Sequence, residues 1–185
     1  RSLKTRGFIK GKTGGDYQVH QPGLSVLMLP AYYIDRQITP VEAGSPAHWP
    51  NRLRAVNTFF LGLYLLWMVL IFRFVRHLVP HAWPAWLTAV TIGLTLPVAA
   101  FPFQFYPEVA GGVLLFAIAG HLLFPVRATP AAAFFIGLLT GYLPWLHVRF
   151  SALAAVLLVT GIIKMRRDAR RLAGFLSGFA IPAIF

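Results

Sequence analysis

Most of the chain is ordered by apolar runs without Asp, Glu, Lys or Arg, at residues 56–72, 86–105, 109–126, 131–146, 150–163 and from 172 onward. A helix needs about 17–25 apolar residues to cross a bilayer, so the pattern predicts about six spans, the fifth of them short. Arg149 and Lys164 flank that fifth run and can snorkel to opposite interfaces, which lets it span; a re-entrant segment is the competing reading. The expected fold class is all-α, a polytopic transmembrane helix bundle over residues 54–185, preceded by a loop region over residues 1–53.

Within residues 1–53 the pattern is different. Gly and Lys recur over residues 7–15, which predicts a loop, and residues 39–50, rich in Pro, Gly, Ala and Ser, predict a surface loop. Between them residues 24–34 form an apolar patch of eleven residues that includes Pro30. It is too short to span, so it predicts an interfacial or re-entrant helix with Tyr32 and Tyr33 at headgroup depth.

Composition strengthens the membrane reading. Of 185 residues, 57% are hydrophobic and 12% charged, and the mean hydropathy of +0.67 lies outside the range of soluble domains. The absence of cysteine excludes disulfides and cysteine metal sites. A net charge of +12 invites nucleic acid, but a nucleic-acid footprint requires cations on one face, and here they are divided among loops, so no nucleic-acid partner is expected. A chain that begins at Arg1 and ends at Phe185 inside a fresh apolar run reads as an internal piece of a longer protein.

Charge also orients the spans. With alternating crossings, Arg73, Arg76, Arg127, Lys164, Arg166, Arg167, Arg170 and Arg171 share one side, whereas the short turns of the other side carry only Arg149. The positive-inside rule puts the first group in the cytoplasm. It puts residues 1–53, 103–108 and 146–150 outside, on the extracytoplasmic face of a plasma (inner) membrane. The basic residues before position 55 disagree on a bare count, but long translocated segments weigh little in this rule.

Three polar features then share the outer side: Asp16, Tyr17 and His20 in the first loop, the turn from Phe103 to Glu108, and the polar island Tyr142-Leu143-Pro144-Trp145-Leu146-His147-Val148-Arg149-Phe150. Arg149 offers a forked donor suited to phosphate, and His147 adds a hydrogen bond or a proton; the plainer reading makes both headgroup anchors. Glu108 follows Pro107 where a helix begins, a favourable place for a carboxylate with or without a site role. His20 precedes Gln21-Pro22-Gly23 and reads equally as a loop histidine before a helix start. His77, His81 and His121 read as core or headgroup contacts.

Several short motifs taken in order carry a resemblance: Tyr17-Gln18-Val19-His20-Gln21-Pro22-Gly23-Leu24, Leu29-Pro30-Ala31-Tyr32, Arg52-Leu53, Tyr106-Pro107-Glu108, and Pro144-Trp145-Leu146-His147-Val148-Arg149-Phe150. The chain resembles bacterial membrane glycosyltransferases of the GT-C class, similar to polyprenyl-phosphate-dependent protein O-mannosyltransferases and lipid A aminoarabinose transferases. The resemblance implies a GT-C-like helical fold, a polyprenyl-phosphate-linked sugar donor, and a phosphate held by basic residues on the extracytoplasmic face. It also implies a catalytic acid in the first external loop, which is expected upstream of Arg1, because the chain has no Asp-Glu or Asp-x-Asp pair and Asp16 does not match that position.

The implied mechanism is displacement at the sugar carbon, with a carboxylate as base towards the acceptor and cations on the departing phosphate. Arg149 and His147 are the expected phosphate ligands, with Glu108, Tyr106 and His20 as further binding residues. No metal or cofactor is expected, since Asp16, Asp35, Glu42 and Glu108 show no hard-cation spacing. The alternatives are a multi-pass transporter or lipid flippase, which no internal repeat supports, and a non-catalytic membrane subunit.

Overall fold

The computed structural model describes residues 8–10, 16–18, 22–38, 54–95, 106–124 and 129–184. Strands β1 (Phe8–Lys10) and β2 (Asp16–Gln18) pair antiparallel with Ile9 opposite Tyr17. A loop was expected from residue 7; Phe8, Ile9 and Tyr17 are residues that favour an extended backbone.

Everything else described is mainly helical: α1 (Gly23–Ile38), α2 (Arg54–Leu78), α3 (Ala82–Leu94), α4 (Pro107–Leu123), α5 (Pro130–Leu146), α6 (Ser151–Met165) and α7 (Ala169–Ile184). A 3-10 turn, Val148–Phe150, leads directly into α6. Each predicted apolar run therefore holds one helix, α2 to α7. The patch expected over residues 24–34 grows to the 16 residues of α1.

Two of the described helices, rather than six, are long and apolar enough to cross a membrane: α2, with 25 residues, and the continuous stretch Val148–Met165, with 18. At the helical rise they measure about 37 Å and 27 Å. Only 17% and 22% of their most apolar windows are buried, so neither is packed as a core helix among the described residues. The short fifth run thus gains its length from the 3-10 turn. Helices α3, α4 and α5 are apolar but shorter, with 13, 17 and 17 residues. The remainder of the expected second span, residues 96–105, lies outside the described residues.

The spine of the molecule is the parallel pair α5 and α7. Gly137 and Gly141 of α5 sit against the backbone of Phe175 and Phe179, and Gly174 and Gly178 of α7 sit against that of Pro130 and Phe134. Two small residues four apart lie on one helical face, and here each helix presents such a pair to the other, so backbone meets backbone. Phe175, fully buried, fills the space beside Gly161 of α6 and centres a core with Ile118, Leu122, Leu143 and Leu157. A smaller core of Ala31, Val56, Phe60 and Val109 joins α1, α2 and α4.

Contacts sort the helix termini into two ends. At one, the His77 ring stacks on Phe124 with centroids 4.3 Å apart, and Lys164 Nζ donates to the carbonyls of Leu122 and Phe124. Arg76 Nη1 donates to the carbonyls of Val79 and Pro80 at 3.0 and 2.6 Å, closing the α2–α3 turn. This is the basic end. The other end gathers the starts of α2, α4 and α6 with the end of α5.

Candidate functional site

At this second end Glu108 and Arg149 meet. Glu108 is in the first turn of α4, behind Pro107 and the extended cap residue Tyr106 (φ −80°, ψ 141°). Its Oε1 accepts from Arg149 Nη1 at 2.9 Å; the two side chains are 25% and 61% exposed, so solvent reaches the pair and holds its strength to about 0.2–1 kcal/mol. Glu108 Oε2 is buried and has no hydrogen-bond partner among the described residues.

Arg149 reaches Glu108 because its neighbour is seated one helical turn further along α4. The Phe150 ring occupies the space where Gly111 lacks a side chain, and residues 108 and 111 share a face. A side chain at 111 would meet the tip of that ring, which must then shift.

His147 ends α5 in an extended conformation (φ −165°, ψ 139°). Its Nδ1 lies 3.2 Å from the backbone nitrogen of Arg149. A backbone N–H only donates, so Nδ1 accepts and the ring proton sits on Nε2. The histidine thus caps the turn that presents Arg149, with Nε2–H left as a donor.

Helix α1 ties this end together. Gly23 is buried against the backbone of Trp145, and its carbonyl accepts from Tyr142 Oη at 2.6 Å. Trp145 Nε1 donates to the Pro182 carbonyl at 2.8 Å, holding α7 to the same corner. At its other terminus Asp35, 5% exposed, accepts from the backbone nitrogens of Ala55 and Val56 at 2.8 and 3.0 Å. These are unpaired donors of the first turn of α2, where a carboxylate is favoured. Asp35, weighed in sequence as an external metal ligand, is thus a structural residue; no cluster of three or more His, Asp or Glu suited to a metal occurs among the described residues. Tyr32 and Tyr33 are exposed.

Of the expected site residues, Glu108, His147 and Arg149 come together, and Tyr106, exposed, stands beside them at the start of α4. His20 lies outside the described residues. Tyr142 is the residue that sequence reasoning left without a role, its aromatic–polar character at a helix end being the available signal, and next to it Pro144 and Trp145 do stand at the end of α5, as a helix end at the interface requires. Beside them lies a wholly apolar groove of about 420 Å³ whose walls include Leu27, Leu114, Leu138, Tyr142, Trp145 and Pro182. No family model, curated protein or solved structure matches the chain.

Proposed function

We propose that the chain is part of an integral-membrane glycosyltransferase that takes a sugar from a polyprenyl-phosphate donor on the extracytoplasmic face. The observation that carries this reading is a forked cation and a histidine N–H just beyond the end of α5, a helix whose last turn lines an apolar groove through Tyr142 and Trp145. A lipid-linked phosphate requires both chemistries side by side: cations for its oxygens and a dry channel for its chain. The guanidinium has donors beyond the one facing Glu108, and the buried Oε2 of Glu108 is a candidate acceptor for a sugar hydroxyl. The exposed apolar faces of α2 and α6, including Leu61, Leu65, Leu66, Val156, Val159 and Ile163, support the membrane as the medium of those two helices; six crossings and a cytoplasmic basic end remain the reading of the apolar runs and loop charges.

The test is binding of a labelled polyprenyl-phosphate sugar to the protein in membranes, normalised to inserted protein. Arg149→Ala is expected to weaken binding about tenfold or more, the equivalent of one charge-assisted hydrogen bond. Arg149→Lys keeps the charge without the fork and recovers part of the loss. Undiminished binding by Arg149→Ala overturns the phosphate role and leaves Arg149 as the partner of Glu108 alone.

A further inference from the structure

At the basic end a second cavity, of about 230 Å³, opens between α2 and α4, remote from the Glu108–Arg149 pair. Arg73 and His77 of α2, both exposed, and the half-buried His121 of α4 line it, with Phe74, Phe116 and Phe124 as walls.

Its polar groups are a guanidinium and two imidazoles. His77 Nδ1 lies 2.8 Å from the Arg73 carbonyl; a carbonyl only accepts, so Nδ1 carries a proton, and Nε2, the nitrogen left for a ligand, donates only in the imidazolium form of the ring. The stack on Phe124 fixes the plane of that ring. His121 Nε2 is buried with no hydrogen-bond partner among the described residues, a state that buried polar groups rarely keep. The Arg73 guanidinium makes no hydrogen bond or ion pair within the described residues.

The neighbouring cations are engaged elsewhere, and one of them matters for the sign of the field. The last carbonyls of α4 form the negative end of its dipole and repel an anion, but Lys164 places its ammonium on those of Leu122 and Phe124. Arg76 is held by the Val79 and Pro80 carbonyls. The cavity is left with a guanidinium and two imidazoles facing a neutralised helix end.

We infer that this cavity binds a phosphate group, carried by a phospholipid headgroup or free in solution. A fork, a ring donor from His121 and, when its ring is an imidazolium, a second from His77 match the several oxygens of a tetrahedral anion better than a planar carboxylate. Basic pockets between helices at a membrane surface take such headgroups, and the phenylalanine walls suit the ester-linked part of the ligand. The inference does not depend on sugar transfer, because it concerns the opposite end of the molecule.

The chain, purified in an uncharged detergent, is titrated with dihexanoyl phosphatidylglycerol, with dihexanoyl phosphatidylcholine and with inorganic phosphate, following Tm. Phosphatidylglycerol is expected to raise Tm saturably. Arg73→Gln, at an exposed position, weakens its apparent affinity about tenfold or more. His121→Leu abolishes the shift without lowering Tm of the ligand-free protein, since it removes an unpartnered polar atom. The double substitution Arg166→Gln with Arg167→Gln, which lowers the charge of the same end outside the cavity, leaves the shift intact. An equal shift with inorganic phosphate identifies free phosphate as the source, and a shift with phosphatidylglycerol alone identifies the headgroup. No shift with any of the three, or an equal loss in the double control, overturns the site.

Discussion

The two ends of the helices use charge in different ways. At the basic end Arg76 is attached to carbonyls of the α2–α3 turn and Lys164 to those that end α4, so they fix the backbone there while they mark a side. At the other end Arg149 faces the carboxylate of Glu108 on a different helix, and the helix start that needs an anion is served by Asp35. A cation therefore closes the end of α4 on one side, whereas on the other a carboxylate closes the start of α2 and the cation Arg149 is left exposed. A helix dipole explains the division, because C-termini attract cations and N-termini attract anions. The basic end collects the C-termini of α2, α4 and α6.

The comparison breaks most completely if the spine that spaces the two ends is broken. Gly137→Leu places a side chain against the Phe175 carbonyl, where no rotamer relieves a backbone clash. A loss of about 3 kcal/mol or more is expected, read as a large fall in Tm in detergent with both ends affected. A wild-type Tm removes the α5–α7 pair from its role as spine.

The matched substitutions Asp35→Ala and Lys164→Met probe the helix ends themselves. Asp35→Ala leaves two amides of α2, one buried and one half-buried, without acceptors, with an expected loss of about 2 kcal/mol, and Asp35→Asn recovers part of it. Lys164→Met keeps the aliphatic stem and removes only the ammonium from the α4 carbonyls, with an expected loss of about 1 kcal/mol. Chemical denaturation of both variants gives the order, and a larger loss for Lys164→Met contradicts the account of the two ends.

The smallest effect is expected at the candidate site. Glu108→Gln removes one partner of a solvent-exposed pair and changes stability by no more than about 1 kcal/mol. A large destabilisation makes the Glu108–Arg149 contact a structural bridge.

Helix positions were legible because charge-free apolar runs leave little choice of element, and α2 to α7 follow them in order. The extent of α1 was less legible: Asp35 and Arg36 end the apolar patch in sequence, yet the helix continues through them because the carboxylate has amides of α2 to accept from. The fifth span looked short for a related reason, since His147 and Arg149 interrupt hydropathy while the 3-10 turn they belong to continues into α6.

The sequence by itself determined the helical character of the apolar runs, the gathering of basic residues beside particular helix termini, and the proximity of His147 to Arg149, all of which depend on residues near one another in the chain. Only the tertiary structure decided that Arg149 meets Glu108, that Tyr142 reaches Gly23, that Asp35 caps α2 and that glycines of α5 and α7 face each other. Each of these joins residues on different helices. Hydrophobic periodicity tells which face of a helix is apolar but not which neighbour covers it, and in a chain this apolar most faces look alike. The choice of partner is made by the fit of small residues to backbone and of ring to notch, and that exists only once the helices are assembled.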